Sequence, residues 1–183
     1  MAYLKNVADI ITMTRGFLAF VMVWIGIVLG KLGLSQVVYI MLICWTGDFF
    51  DGRIARMSRT QRQTWIGDHD IQVDLFVSLG LGAYLIWSGY INKIVAAGYI
   101  LFWVLFFLSK GPDRNLLMLF QAPIYFFLIM ISLQDAPVTG KWILAWLVII
   151  LSVNWKTFSK EIVPNFVSGF LELFKNNGAS KIS

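Results

Sequence analysis

The sequence has few charged residues and a single cysteine in 183 residues. Lysine, arginine, aspartate and glutamate together make up 14% of the chain, whereas 58% of it is hydrophobic. A water-soluble domain of this length exposes a large share of its residues and cannot hide that much apolar surface. The lone Cys44 excludes an internal disulfide, and its apolar surroundings predict simple packing. The composition therefore predicts that lipid is the main solvent of the chain.

The net charge of +5 does not indicate nucleic acid, because the basic residues lie between apolar segments. All but three of the 15 lysines and arginines fall on one side of the predicted membrane, the exceptions being Lys31, Lys93 and Lys141. Cytoplasmic loops carry such an excess of basic residues. We therefore expect a multi-pass protein of the cell membrane with both termini cytoplasmic. No small-residue cleavage site follows the first apolar run, which predicts a span and not a signal peptide.

Long apolar runs predict an all-α integral membrane protein with six transmembrane helices in one domain, 1–183. With its flanks, each run reaches roughly 20 residues, the length that a ~30 Å hydrocarbon core requires. The runs do not alternate in polarity, which argues against strands. The six-helix bundle is predicted over 16–158, with spans at Gly16–Leu32, Gln36–Arg56, Ile71–Tyr90, Ile94–Ser109, Leu116–Leu133 and Trp142–Val153.

Two flanking segments, 1–14 and 159–183, carry apolar residues at helical spacing. Each could lie along the inner leaflet as an interfacial helix, or pack on the bundle. Within the first span, Gly26 and Gly30 form a pair of small residues four positions apart. Such a pair permits close helix packing, either within one chain or between two copies.

Four aspartates between positions 48 and 74 carry the strongest chemical signal. Asp48 and Asp51 share one helix face, and so do Asp70 and Asp74 at the start of the next span. The connection between these spans reverses the chain, so the two acidic faces can meet. The sequence thus predicts one site built from two antiparallel helices.

Asp48 lies about 18 Å from the outer end of its span at 1.5 Å per residue, inside the apolar zone near the cytoplasmic boundary. Four converging carboxylates repel one another unless cations neutralise them. Oxygen ligands suit hard cations such as Mg²⁺ or Mn²⁺, and four negative charges match two divalent ions. Two-metal sites of this kind promote in-line displacement at phosphorus.

Small and basic residues follow the first acidic pair. Gly52 and Ala55 leave space beside the acids where a ligand can approach the helix. Arg56, one turn further on, can pair with phosphate. Ordinary charge at a membrane boundary explains Arg53, Arg59 and Arg62 better than ligand binding does.

These residues resemble the signature of the CDP-alcohol phosphotransferases, D-x2-D-G-x2-A-R, a spacer of about eight residues, then G-x3-D-x3-D. The family's second glycine would fall on Ile66, and Gly67 stands one place later. An upstream segment is similar to the N-x2-T-x2-R pattern of many members, with Asp9, Thr12 and Arg15 in the three places. The first half of the signature is matched by Asp48, Asp51, Gly52, Ala55 and Arg56, and its final pair by Asp70 and Asp74.

The resemblance implies a phospholipid-synthesis enzyme that transfers a phospho-alcohol group, with release of CMP. It implies that Asp48, Asp51 and Asp70 bind the metals and the diphosphate, and that Asp74 is both a ligand and the base on the acceptor hydroxyl. It also implies a homodimer. The favoured donor is CDP-diacylglycerol with a small alcohol acceptor, although a CDP-choline-type donor with a lipid acceptor fits the same motif. The implied CDP site comprises Asp48, Asp51, Gly52, Ala55, Arg56 and Gly67.

Lys110 and Arg114 lie in the cytoplasmic connection between the fourth and fifth predicted spans. Their cationic side chains could bind a phosphate on the acceptor, or they could serve only the orientation of the chain in the membrane. A divalent-cation transporter is the main alternative, since it too would use acids within a helical bundle. Transporters place their ligands near the membrane midplane, whereas these acids crowd the cytoplasmic end. A catalytically inactive relative is disfavoured because all four acids are present.

Overall fold

Helices account for nearly all of the chain that the computed structural model describes, namely residues 2–57, 70–110, 114–155 and 158–174. No strand occurs in these ranges, which confirms the predicted all-α class. A 3₁₀ turn at Gly30–Gly33 joins the first two helices, and a π-helical turn at Phe158–Ile162 precedes the last. The α-helices are α1 (Ala2–Val28), α2 (Leu34–Met57), α3 (Asp70–Trp87), α4 (Lys93–Lys110), α5 (Arg114–Asp135), α6 (Pro137–Val153) and α7 (Val163–Phe174).

The first helix differs from the prediction. Ala2–Val28 is one continuous helix of 27 residues, so no break separates the predicted interfacial segment 1–14 from the span predicted to start at Gly16. Arg15 suggested a membrane boundary, but it lies inside the helix and its side chain is buried. A helix exists at the other predicted interfacial segment, as α7. The segment Phe158–Ser168, which contains the π-helical turn and the first residues of α7, is bent by 78° from α6.

Three described helical segments are long and apolar enough to cross a membrane: Ile10–Val28, Gly30–Phe50 and Asn115–Asp135. A fourth crossing results if Pro137–Val153 and the bent segment after it count as one span. Gln72–Trp87 and Lys93–Ser109 are apolar but shorter. All six predicted spans thus coincide with helices, while length and composition support three or four of them as crossings.

The two faces of α1 differ in the way expected of a helix that faces lipid. Its inward face is buried and includes small or polar residues, among them Thr12, Arg15 and Ala19. Membrane helices use small residues at their contacts and direct polar groups to the protein interior. On the opposite face, large apolar side chains recur at helical spacing and are each more than half exposed: Met13, Phe17, Phe20, Trp24 and Ile27.

α1 and α3 run in the same direction and approach closely. A methyl group added at Gly80 of α3 would lie 2.8 Å from the carbonyl oxygen of Ala19, and one added at Gly26 of α1 would lie 3.1 Å from the Cα of Tyr84. Gly26 therefore serves packing within the chain. Gly30 instead occupies a turn with φ +55°, a conformation that glycine adopts without steric cost.

α2 runs antiparallel to α1 and α3, as predicted. The tyrosine hydroxyl of Tyr84 donates to the carbonyl of Gly30 at the end of the bundle where α1 turns into α2. At the same end, the ammonium of Lys31 lies 4.9 Å from the ring centre of Tyr90. Asp48 and Asp74 lie away from this end, just past the middle of α2 and in the second turn of α3. α5 packs against α3 and α6, and α6 also packs against α2.

Candidate functional site

One arginine joins the two acidic helices. Nη1 of Arg15 lies 3.1 Å from Oδ1 of Asp48, and Nη2 forms an ion pair with Oδ1 of Asp74. Asp48 comes from α2 and Asp74 from α3, so the first half and the final pair of the motif meet at one point. The sequence prediction that the two acidic faces converge is confirmed for these two residues.

Close packing of α1 on α2 places the arginine. A methyl group added at Gly47 would lie 3.0 Å from Cγ2 of Ile11 and 3.2 Å from Cδ of Arg15. The missing side chain at Gly47 therefore makes room for the arginine stem, and Asp48 follows directly. Thr12, one turn before Arg15, is also buried.

The three side chains differ in exposure. The Arg15 side chain is 5% exposed, whereas those of Asp48 and Asp74 are 48% and 33% exposed. The guanidinium thus approaches the carboxylates from inside the protein. Each carboxylate is therefore partly accessible, whereas the guanidinium between them is not.

An aromatic wall borders the cluster. Tyr125 of α5 lies within electrostatic range of Arg15 and both carboxylates, and its ring makes an edge contact with Trp45, 5.5 Å between centres. Trp146 of α6 packs on Trp45 and donates its indole N–H to Oγ1 of Thr46 at 2.9 Å. Aromatic rings in an apolar setting exclude water and strengthen nearby charge interactions.

An apolar groove of about 630 Å³ leads to the same point. It lies between α1 and α2, and Arg15, Thr46 and Gly47 are among the residues that line it. The groove borders the ion-pair cluster through Arg15. It could accommodate the apolar part of a ligand whose polar part reaches the carboxylates.

Several predicted site residues are described only through their backbone. Asp51, Gly52, Ala55 and Arg56 continue α2, and Asp70 is the first residue of α3. The positions of Asp51 and Asp70 on their helices are those expected for the shared faces. Their side chains are not described, and Gly67 lies outside the described residues.

The predicted acceptor residues flank one helix connection. Lys110 ends α4 and Arg114 begins α5. Their side chains are not among those described. Arg114 precedes Tyr125 by eleven positions on the same helix, about 16 Å at 1.5 Å per residue. The direction of α5 places the end of α4 and the start of α5 on the same side of the bundle as Asp48 and Asp74.

Arg15 was not predicted as a site residue. The sequence interpretation counted it among the orientation charges, although it occupies the arginine place of the T-x2-R segment. That segment was the available signal, because Thr12 and Arg15 fall three positions apart on one helix face and both are buried. A buried arginine within an apolar helix needs an acidic partner, and Asp48 and Asp74 supply two.

The donor chemistry of the cluster fits a hard divalent cation. Two carboxylates from separate helices converge on one positive group, and such oxygens are the ligands that Mg²⁺ and Mn²⁺ prefer. Among the side chains that the structure describes, no three of the metal-binding types form a group.

Comparison of the chain with protein-family models, with curated proteins and with solved structures gives no match.

Proposed function

We propose that the chain is a membrane transferase of phospholipid synthesis. It moves a phospho-alcohol group, preferably a phosphatidyl group, from a CDP-linked donor to the hydroxyl of a small alcohol and releases CMP. The observation that carries this proposal is the meeting of Asp48 and Asp74 at Arg15. The resemblance of their motif to the CDP-alcohol phosphotransferases supplies the reaction.

The proposed roles follow from carboxylate chemistry. Asp48, Asp51 and Asp70 would hold Mg²⁺ or Mn²⁺, with Asp74 as a further ligand. When bound, the divalent ions would neutralise the diphosphate and the charge that develops on the leaving CMP. Gly52, Ala55, Arg56 and Gly67 would form the CDP site.

Asp74 would accept the proton of the acceptor hydroxyl as its oxygen attacks phosphorus. The new bond joins the acceptor oxygen to the phosphorus that carries the lipid alcohol, and the bond from that phosphorus to the CMP oxygen breaks. A general base contributes on the order of 10²–10⁴ to such a rate. The partly exposed carboxylate of Asp74 leaves room for the hydroxyl to approach.

Two features support a lipid-linked substrate. The groove between α1 and α2 is apolar and reaches the cluster, and the outer face of α1 carries large exposed apolar side chains. A diacylglycerol-linked donor could therefore place its chains at the lipid boundary and its diphosphate at the carboxylates. We further propose six spans in the cell membrane, with both termini and the site facing the cytoplasm.

CMP release by the purified protein tests the proposal. The protein is incubated with CDP-diacylglycerol, or with CDP-choline and diacylglycerol, against a panel of acceptor alcohols. We expect release with one donor class, loss of release in EDTA, and recovery with Mg²⁺ or Mn²⁺. Asp48→Asn should be inactive. The matched control Asp135→Asn, at the C-terminal end of α5 and away from the cluster, should retain activity.

The same preparation separates the enzyme from a transporter. Reconstituted vesicles are assayed for uptake of Mn²⁺. Uptake that depends on Asp48, without CMP release from any donor, would replace the proposed function with cation transport. CMP release that persists in chelator, or in Asp48→Asn, would contradict the role of the acidic cluster.

A further inference from the structure

A cavity of about 590 Å³ lies between α3, α4 and α5 and shares no lining residue with the groove beside Arg15. We propose that it binds one anionic phospholipid, with an acyl chain in the cavity and the phosphate at Lys31 and Lys93. This inference goes beyond the proposed reaction and rests only on the proposed location of the chain in a membrane.

The lining of the cavity suits a hydrocarbon chain. It consists mostly of apolar side chains from all three helices, and its volume lies within the range of about 300–1,000 Å³ that small-molecule sites have. Tyr99 lines it as well, but its hydroxyl already donates to the carbonyl of Phe120. Water finds few polar partners in such a space, whereas an acyl chain can fill it.

The cavity is open on the surface of the bundle and has the depth of one leaflet. Its lining includes Leu79 of α3 and Val95 of α4, which are themselves exposed. Leu79 and Ile86 both line it and lie seven residues apart on α3, about 10 Å at 1.5 Å per residue. Half of a hydrocarbon core is about 15 Å thick, so a chain from one leaflet can enter without crossing the midplane.

Polar and aromatic residues mark one end of the cavity, at the turn between α3 and α4. Tyr90 and Asn92 line it there, and the exposed Trp87 ends α3 three residues before Tyr90. Tyrosine and tryptophan concentrate at the level of the lipid headgroups, and lysine side chains extend to that level from helix ends. The cavity therefore combines an apolar body with one polar end, as an amphiphilic ligand requires.

Two lysines lie against this polar end. Nζ of Lys31 is 4.9 Å from the ring centre of Tyr90, and Nζ of Lys93 is 5.4 Å from that of Trp87. Both lysines are exposed, so their ammonium groups can pair with a phosphate. Asp135 brings one negative charge to this end, where it is hydrogen-bonded to Tyr90. Positive charge remains in excess, which favours an anionic headgroup.

The same two lysines stand on the side of the membrane where basic residues are few. Lys31, Lys93 and Lys141 are the three that the sequence predicts on the outer side. Orientation in the membrane does not account for basic residues there, since it favours them on the cytoplasmic side. The lipid site accounts for Lys31 and Lys93 as partners of the headgroup.

The experiment measures lipid binding to the full-length protein in detergent by native mass spectrometry, without any CDP-linked donor. Phosphatidylglycerol is the anionic probe, and phosphatidylcholine with the same acyl chains is the zwitterionic comparison. We expect one tightly bound phosphatidylglycerol per chain and weaker binding of phosphatidylcholine. Lys31→Gln and Lys93→Gln should each weaken phosphatidylglycerol binding about fivefold, the effect of one lysine near an anionic lipid surface. Lys160→Gln, a control beyond the C-terminal end of α6, should not.

A cavity-filling variant tests where the acyl chain lies. Ala83 lines the cavity, so a leucine at this position takes up part of its volume. Ala97 is exposed on α4 and is not part of the lining, so Ala97→Leu is the matched control. Ala83→Leu should weaken phosphatidylglycerol binding tenfold or more, roughly the loss expected when a well-placed apolar contact is blocked. Its thermal midpoint without lipid should not fall, because filling a cavity does not remove a contact.

Equal binding of the two lipids by wild type, or unchanged phosphatidylglycerol binding in both lysine variants, would overturn the anionic site. Equal binding by Ala83→Leu and Ala97→Leu would place the acyl chain elsewhere and overturn it too. Loss of a dimer in Ala83→Leu with unchanged lipid binding would assign the cavity to a second copy of the chain. If Ala83→Leu does not fold, the lysine variants decide. Lipid binding as expected without CMP release would reject the proposed reaction and leave the lipid site standing.

Discussion

Arg15 of α1 and Asp74 of α3 lie 59 positions apart in the chain and form an ion pair. This pair exists because α1 and α3 run in parallel with their backbones in close approach. The alignment of the two helices therefore determines the geometry of the site. A change that separates α1 from α3 should disturb both stability and activity.

Gly80→Ala tests this close approach. The added methyl group would lie 2.8 Å from the carbonyl oxygen of Ala19, which a backbone cannot easily vacate. Overpacking of this kind costs about 1–3 kcal/mol, so the thermal midpoint in detergent should fall. Gly98→Ala in α4 is the matched control, since its methyl group meets no described atom within 4 Å. A midpoint for Gly80→Ala as high as that of the control would show that the helices are not in contact here.

Gly47→Ala tests how the site depends on the α1–α2 contact. The new methyl group would press on Ile11 and on the stem of Arg15, at 3.0 and 3.2 Å. These are side-chain atoms that can shift by a few tenths of an ångström, so we expect a small loss of stability and a larger loss of CMP release. Gly16→Ala, which meets no described atom within 4 Å, should change neither. Unchanged CMP release in Gly47→Ala would contradict the placement of Arg15.

The sequence predicted the helices better than their contacts. Long apolar runs specify helices within lipid, and the runs at α2 to α5 match the observed bounds to within a few residues. The continuity of α1 was not predicted, because an arginine between apolar residues indicates a boundary when its partners are unknown. Those partners, Asp48 and Asp74, lie on other helices, and no local sequence window contains them.

The acidic pairs were predictable because helical spacing places Asp48 with Asp51 and Asp70 with Asp74 on shared faces. The contribution of Gly47 was not predictable, since a glycine within a helix reveals no partner. Gly26 and Gly30 look alike in sequence and differ in the structure. Gly26 packs on Tyr84, whereas Gly30 forms a turn with φ +55°.

Tyr90, in the turn between α3 and α4, makes the stability of the folded state depend on pH in the alkaline range. Burial, together with its hydrogen bond to Asp135, raises the pKa of Tyr90 to about 12 from an ordinary value of 10. The folded state therefore favours the protonated phenol, and this contribution to stability is complete below pH 10 and is lost as the pH rises through about 12.

Thermal midpoints of wild type and Tyr90→Phe between pH 9 and about pH 12 check this prediction. Phenylalanine keeps the ring beneath Lys31 and removes only the hydroxyl. The difference in midpoint between wild type and variant should be constant at lower pH and should shrink above pH 10. A difference that does not vary with pH would contradict a raised pKa for Tyr90.

Arg114 is the residue to test for acceptor binding. It begins α5, at the end of the bundle that holds the carboxylates. If it binds a phosphate on the acceptor, Arg114→Ala should raise the acceptor KM with little change in kcat, because the lost contact is made equally in ground and transition states. Lys141→Ala, next to the opposite end of the bundle, serves as the control. An unchanged acceptor KM in Arg114→Ala would show that this residue does not bind the acceptor and serves only the orientation of the chain in the membrane.

The most direct measurement compares donor binding with turnover in Asp74→Asn. Calorimetry gives the affinity for the CDP-linked donor in the presence of Mg²⁺, and CMP release gives the rate, for wild type, Asp74→Asn and Asp135→Asn. The account predicts that Asp74→Asn retains measurable donor binding and loses on the order of 10²–10⁴ in rate, while Asp135→Asn behaves as wild type. Turnover by Asp74→Asn within a few-fold of wild type would contradict Asp74 as the base, and with it the proposed reaction at this site.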